Sequence, residues 1–327
     1  ANSDGIGSLQ AFRPSLLEVD ERSVTRRLDN YLRRILKGVP KSHIYKIIRD
    51  GQVRVNGGRV KPDYRLKPKD IVRIPPIRTV NRKSVAIQDL SLAELIPILY
   101  EDQSILIVNK PAGIAVHGGT GQYVSVIEQL RMSNSGFLEL VHRLDKETSG
   151  ILMLAKNMDT LRQMHDRLRR VDPQSGVRKC YQTLVVGRWH GGSRSLCQRL
   201  EIVRGYGGEK RSRVGSEGRE AKSVFSPLEL LDDYSLMRVE LMTGRLHQIR
   251  AHAHAAGMPV AGDRIYGTRD QNRCLRKFGL RRQFLHASQT TFYHPRTGKP
   301  VDVQSPLPDD LMSVLLNLRS QTGNESN

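Results

Sequence analysis

Between Asp20 and Pro76 the chain carries sixteen Lys and Arg against six Asp and Glu, an excess of ten positive charges. The full 327 residues have a net charge of +20, so half of the imbalance sits in under a fifth of the length. Such a segment can fold only by turning its apolar side chains to one side and its cations to the other, toward water or a polyanion. Its pattern does this. Leu28, Tyr31, Leu32, Ile35 and Leu36 recur at helical spacing, with Arg26, Arg27, Arg33, Arg34 and Lys37 between them. Gly38 and Pro40 end that helix. Ser42 can cap a second one carrying Ile44, Ile47 and Ile48, which Gly51 closes. Val53, Val55, Asn56-Gly57 and Val60 then read as a hairpin with a type I′ turn, and Ile71 to Ile74 as a further strand before Pro75-Pro76.

A basic docking module of about 57 residues is expected, and a nucleic acid is the polyanion that best fits it. No stretch approaches the 18 or so consecutive apolar residues that a membrane span needs. Cys180, Cys197 and Cys274 are too few and too scattered for a disulfide framework or a Cys-x-x-Cys metal knuckle, which suits a reducing compartment. Residues 1–14 lack the basic and then apolar segments of a secretory signal, so a cytoplasmic protein without a membrane partner is expected, and a monomer.

Length divides the chain further. Residues 1–19 are expected to form a flexible arm, 20–76 the basic module, 77–97 a polar linker, 98–320 a larger domain and 321–327 a flexible tail. In the larger domain, strands are expected at Ile105 to Val108, Ile151 to Ala155, Tyr181 to Val186, Leu236 to Leu241 and Phe284 to Phe292. Helices are expected near Val124 to Met132, Thr160 to Arg169 and Leu246 to Ala256. No regular strand-helix alternation appears, so the fold class is α+β with a mixed, mainly antiparallel sheet.

Within that domain, Val141-His142-Arg143-Leu144-Asp145-Lys146-Glu147-Thr148-Ser149-Gly150 sets polar groups among apolar ones just before an apolar strand. Taken alone, Asp145 fits a structural turn residue better than a reactive one. His247, His252 and His254 crowd one expected helix, but their spacing is not that of a His-Glu-x-x-His site and no Cys or Glu joins them; packing or RNA contact is expected, with no metal. Neither a Gly-x-Gly-x-x-Gly after a strand nor a phosphate-binding Walker loop is present.

Two resemblances sharpen these readings. Arg27-Leu28-Asp29-Asn30-Tyr31-Leu32, Lys41-Ser42, Gly51-Gln52-Val53-Arg54-Val55-Asn56-Gly57 and Val60-Lys61-Pro62 resemble the S4 RNA-binding domain. That likeness implies two helices on a small sheet and a basic face for structured RNA, to which Arg26, Arg27, Arg33, Lys41, Lys46 and Arg54 would contribute. Further on come Asn109-Lys110-Pro111-Ala112-Gly113 with Val116-His117, His142-Arg143-Leu144-Asp145, Lys179-Cys180-Tyr181, Thr243-Gly244-Arg245-Leu246-His247-Gln248-Ile249-Arg250 and Gly262-Asp263-Arg264-Ile265-Tyr266-Gly267. In that order they resemble the pseudouridine synthases of the ribosomal large subunit type, and with the S4 unit the likeness covers roughly residues 20 to 318.

The second resemblance implies isomerisation of uridine in 23S ribosomal RNA, free or in a large-subunit precursor, without a cofactor. It assigns Asp145 as the nucleophile, Arg250 as the cation that keeps it charged, and Tyr181 as the aromatic that meets the base. Arg143 would fill the place that a flipped base leaves, and His142 and Ile249 would contact substrate. A carboxylate can hold one half of the substrate while the other turns, through either the sugar carbon or uracil C6, and the residues leave both routes open. Two other readings remain open as well: an inert RNA-binding or ribosome-assembly protein, and a glycosidase or nucleosidase with Glu147 as a second acid.

Overall fold

The computed structural model describes residues 9–12, 15–20, 23–36, 39, 41–80, 96–118, 125–134, 136–170, 176–205 and 209–322. The chain forms two compact units, residues 1–91 with 118–123, and residues 92–117 with 124–327.

In the first unit, helices α1 (Leu28–Ile35) and α2 (Lys41–Arg49) accompany a three-stranded antiparallel sheet, β2 (Ser15–Glu18), β4 (Ile71–Ile74) and β3 (Arg54–Val55), in the order β2-β4-β3. The expected spacing produces the core: Leu28, Leu32, Leu36, Ile44, Ile48, Val53, Leu66 and Val72 are buried together, and the cations between them face out. Asn56 and Gly57 both have positive φ, 51° and 79°, as a type I′ turn requires, and Val55 and Gly58 exchange backbone hydrogen bonds across it. Two carboxylates tie the loops. Asp29 accepts from Arg27 and Tyr45, and Asp70 from Asn56, Tyr64 and the Lys67 amide.

The stretch expected to be a flexible arm is structured in part. Leu9–Phe12 forms β1, paired antiparallel with β5 (Ile77–Val80), and β2 is the edge of the sheet, with Val19 buried beside it. Four-residue runs are too short to show a period, and only their tertiary pairing makes them strands. The first four residues of the expected linker are thus strand as well, while 81–95 lie outside the described residues.

In the second unit the five expected strands all form, within an eleven-stranded sheet. They are β7 (Ile105–Lys110), β9 (Ser149–Ala155), β10 (Arg178–Val186), β14 (Tyr234–Leu241) and β15 (Leu285–Tyr293). Around them lie β6 (Ile98–Glu101), β8 (Glu139–Leu140), β11 (Arg194–Arg204), β12 (Lys210–Val214), β13 (Arg219–Leu231) and β16 (Pro300–Gln304). The main path runs β12-β11-β13-β14-β10-β15-β9-β7-β6, with β16 on β15 and β8 on β9. Every pairing is antiparallel except β9 with β15, which run parallel over His286 and Ala287 against Ser149 and Gly150. The fold is therefore mixed α+β with a mainly antiparallel sheet.

The expected helices appear as α3 (Val126–Ser133), α4 (Met158–Arg169) and α5 (Gln248–Ala255), joined by α6 (Arg269–Arg276) and α7 (Asp309–Thr322). The last of these runs two residues into the expected tail; residues 323–327 lie outside the described ones. Asn157 caps α4 through the Thr160 amide, and Thr268 with Gln271 forms a reciprocal cap on α6. Among the described residues no helix is long and apolar enough to cross a membrane.

All seven residues of β9 are buried, which is why the run Ile151 to Ala155 shows no alternation. Its second residue, Gly150, sits at φ 108°, and a Cβ there would lie 2.2 Å from the Ala287 carbonyl oxygen. Only glycine lets β9 meet β15 so closely, and this junction delivers the 141–148 loop to the middle of the sheet. Gly150→Ala is expected to destabilise the protein by roughly 3 kcal/mol or more, read as a lower urea midpoint; an unchanged midpoint would show that the junction tolerates separation.

Candidate active site

Asp145 lies in the loop between β8 and β9, and that loop is held on every side. The Val141 amide donates to the Met153 carbonyl (3.0 Å), and the Met153 amide donates to His142 Nε2 (3.2 Å). Burial takes the His142 imidazole down to about 3, helped by the charge of Lys179, so the ring is neutral and available as that acceptor. The Thr148 amide closes a turn on the Asp145 carbonyl (3.1 Å).

Two cations grip the next two carbonyls. Lys110, with no exposed surface, donates from Nζ to the carbonyls of Lys146 (3.0 Å), Pro111 (2.7 Å) and Ile114 (2.9 Å). Burial and the nearby Arg282 lower its amine to about 7. Arg282 donates to the Glu147 carbonyl (3.1 Å) and to Ser149 Oγ (3.2 Å) while pairing through two bonds with Asp310 of α7 (2.7 and 3.0 Å). Gln283 adds a bond to Thr148 Oγ1 (2.8 Å).

The Asp145 side chain meets α5 from this loop. Arg250 Nη1 donates to Asp145 Oδ2 at 2.9 Å, while the same guanidinium pairs side-on with Asp263 through Nε to Oδ2 (2.6 Å) and Nη2 to Oδ1 (2.9 Å). Asp263 is fully buried, and its Oδ1 also accepts the amides of Ile265 (2.8 Å) and Tyr266 (3.1 Å). Although burial alone would raise the Asp263 carboxyl, Arg250 and the two amides hold it below the usual carboxylate range. The Tyr266 ring lies 5.1 Å from the guanidinium carbon, and its hydroxyl exchanges two bonds of 2.8 Å with the Ser212 backbone. Arg250 is therefore fixed by a carboxylate, an aromatic face and the helix, and turns Nη1 to Asp145.

These groups open on a cleft of about 1100 Å³ within the second unit. Asp145, Tyr181, Arg250, Arg143, His142 and Ile249 all line it. Tyr181 is 6% exposed, and burial with the charge of Asp145 pushes its phenol well above the ordinary value; among the described residues its hydroxyl has no hydrogen-bond partner. Arg143 is exposed, and its side chain makes no hydrogen bond or ion pair among the described residues. Ile249 belongs to the apolar core beneath the cleft.

His247 precedes α5 with a left-handed backbone (φ 49°), its Nε2 3.8 Å from Asp145 Oδ2 and its Nδ1 3.3 Å from the Tyr266 hydroxyl. His252 is buried against Ser223 instead (3.1 Å). Among the described residues no three His, Cys, Asp or Glu side chains gather as a metal site would need. Glu147 is exposed; its carbonyl accepts from Arg282, and its charge favours the protonated form of Lys110.

Residues 104–255 match the family model described as RNA pseudouridylate synthase, and residues 26–72 match that of the S4 domain. The ribosomal large subunit pseudouridine synthase C of Pasteurella multocida is 42% identical over 312 residues, covering 94% of this chain and 94% of its own. The chain belongs to the pseudouridine synthase family. It is an RNA pseudouridine synthase, an isomerase, with an S4 domain at its N-terminal side. The Escherichia coli protein of the same name is 44% identical over 304 residues, 90% of this chain and 93% of that one. Among solved structures, human RNA pseudouridylate synthase domain containing 1 is 25% identical with a TM-score of 0.54, over 70% of this chain and 96% of its own. Human RNA pseudouridylate synthase domain containing 4, at 24% identity, shares the fold with a TM-score of 0.58, over 72% and 98%.

In the S4 domain of this synthase, Arg26, Arg33 and Lys46 are exposed. Arg27 pairs side-on with Asp29 (2.9 and 3.2 Å) while its side chain stays 44% exposed, and Arg54 reaches the carbonyls of Gly51 (3.3 Å) and Gly57 (3.4 Å). The side chain of Lys41 lies outside the described residues.

Sequence reasoning gave no role to Asp263, Lys110 or Arg282. The first two stand inside quoted motifs, and a lone carboxylate after Gly262 was the available signal; Arg282, one of two adjacent arginines, carries none. Asp263→Asn leaves Arg250 short of its buried partner, and a loss of about 3 to 5 kcal/mol in unfolding free energy is expected. Because the Asp263 carboxyl is depressed, this stability is present above its ordinary value of 3.8 and is lost as pH falls through the lower folded value. The gap between wild type and variant should therefore narrow in acid, and a gap independent of pH would contradict the ion-pair assignment.

Proposed function

We propose that this synthase converts uridines to pseudouridine in 23S ribosomal RNA, with Asp145 as nucleophile and without a cofactor. The reading of the substrate is supported by relatives named for the ribosomal large subunit and by the S4 domain. The observation that carries the mechanism is the ion chain Asp263–Arg250–Asp145 at the wall of the cleft.

The reaction breaks the N1–C1′ bond and forms C5–C1′; C5 loses a proton and N1 gains one, so nothing is oxidised, reduced or hydrolysed. Asp145 attacks C1′ or uracil C6 and holds one half of the substrate while uracil turns. Arg250 keeps the carboxylate charged in a cleft that loses water as RNA enters, and Asp263 fixes the guanidinium so that it need not reorganise during the reaction. A phenol that keeps its proton suits Tyr181 to stack on uracil and donate a hydrogen bond to it. Ile249 supplies apolar surface. His142 acts by pinning the loop to β9 rather than by touching substrate.

The target base must leave its stack, at a cost of a few kcal/mol. Arg143, exposed at the cleft and with its side chain free of partners among the described residues, can fill the vacancy, because a planar cation stacks on bases while facing phosphates. The S4 domain supplies phosphate contacts through Arg26, Arg33 and Lys46.

Asp145→Asn is expected to abolish pseudouridine formation in 23S RNA, mapped chemically, while RNA affinity stays within a few-fold of wild type; an active Asn variant would remove Asp145 as nucleophile. Replacing Arg26, Arg33 and Lys46 together by Ala should flatten the salt dependence of RNA binding by about two or three contacts' worth, each about 0.7 to 0.9 in slope. An unchanged slope would place RNA elsewhere.

A further inference from the structure

Lys179, the second residue of β10, lies two residues before Tyr181, and the alternation of a strand puts both on the face that lines the cleft. The other face is neutralised: Arg178 pairs side-on with Glu240 (2.9 and 3.0 Å). Lys179 has no such partner. Among the described residues its ammonium makes no hydrogen bond and no ion pair, and no carboxylate acts on it. Its Nζ reaches the turn after β14, where a Cβ on Gly244 would sit 3.5 Å away, and its charge is felt by His142 across the cleft.

Lys179 is half-buried at the cleft wall, and a cation there without a counter-ion still carries a cost, since the water that reaches it offsets its lost hydration only in part. Lys110 shows the structural alternative, an ammonium satisfied by three carbonyls. Lys179 lacks any equivalent, so apart from water its charge is left to be answered by what enters the cleft. A uracil carbonyl is neutral and offsets such a loss poorly. A phosphodiester carries a full charge and comes with the substrate.

We propose that Lys179 binds a phosphodiester of the target RNA, taking a phosphate oxygen adjacent to the uridine that Asp145 and Tyr181 receive. This rests on the RNA-substrate reading above. It gives the cleft its own phosphate anchor, distinct from those of the S4 domain, and it fixes the nucleotide's backbone on the strand that carries Tyr181.

A pH dependence follows. Loss of hydration lowers the Lys179 amine to about 8, and a bound phosphate favours its charged form. Affinity is then full below 8 and falls as pH rises through it, by roughly eightfold between pH 7.5 and pH 9 if the bound amine stays charged. The cleft it lines also holds His142, Arg143, Asp145, Lys146 and Glu147 of the loop, Tyr181 of its own strand, Arg169 closing α4, Arg245 and His247 of the turn, and His117, Arg250, Arg264 and Arg282; of these His142 feels its charge. Of these, His142 titrates far below that window and Tyr181 far above it.

The test uses the full chain bearing Asp145→Asn, so that RNA is bound without turnover, and measures its affinity for a fluorescent 23S RNA fragment against salt and pH. Lys179→Met added to it should reduce the salt slope by about 0.7 to 0.9 and abolish the loss of affinity above pH 8. Lys179→Arg should keep the slope and also abolish the pH dependence. Urea unfolding without RNA should show Lys179→Met as stable as its parent or more so, whereas a lysine serving the fold would lose stability. An unchanged slope and pH profile in Lys179→Met overturns the proposal, as does a pH profile that persists in Lys179→Arg. Activity in Asp145→Asn would instead overturn the nucleophile and leave the binding comparison standing.

Discussion

A guanidinium held between two carboxylates organises the catalytic unit. Arg250 is buried, and an arginine in that position must have its five donors and its charge answered. Asp263 answers three of these demands at once, through two side-on bonds and a full negative charge, and it is itself anchored by two backbone amides. Of the three N–H donors that remain, one on Nη1 donates to Asp145. Strands and loops distant in sequence are arranged to make that meeting possible: β9 brings the 141–148 loop, α5 brings Arg250, and the Gly262 turn brings Asp263.

The loop is built to stay where it is. Lys110 takes the carbonyl of Lys146 and Arg282 that of Glu147, from different parts of the chain, and His142 takes the Met153 amide. Each bond is worth about 1 kcal/mol in net stability, but their placement matters more than their sum. A nucleophile displaced by an ångström loses much of its advantage, and a loop without regular structure has no other means of precision. Arg282 also connects this loop to Asp310 on α7, so the last helix of the chain bears on the position of Asp145.

Much of this was legible from the residues. The basic amphipathic helices, the Asn56-Gly57 turn and the five expected strands of the large sheet announce themselves because burial imposes a period or an unbroken apolar run on them. By contrast β11 and β12 hide behind charge: Arg194, Arg199, Arg204, Arg211 and Arg213 interrupt their alternation, because these strands are exposed along much of their length. β1 and β2 are too short for a pattern. At the site, the resemblance brought Asp145, Tyr181 and Arg250 forward, and all three line one cleft. Arg27 and Arg54, read from sequence as RNA contacts, also bond within their own domain, to Asp29 and to the Gly51 carbonyl, which no local pattern announces. Asp263, Lys110 and Arg282 act across separations of 13, 36 and 135 residues, which no local pattern encodes.

The central claim is that Arg250 serves Asp145 during the reaction and not merely the fold. It is tested most directly by the single-turnover rate of pseudouridine formation in Arg250→Met at saturating RNA, under conditions where circular dichroism shows the variant folded. The account predicts a rate lowered by about a hundredfold or more with RNA affinity within a few-fold of wild type. A folded variant that isomerises uridine at the wild-type rate would contradict it.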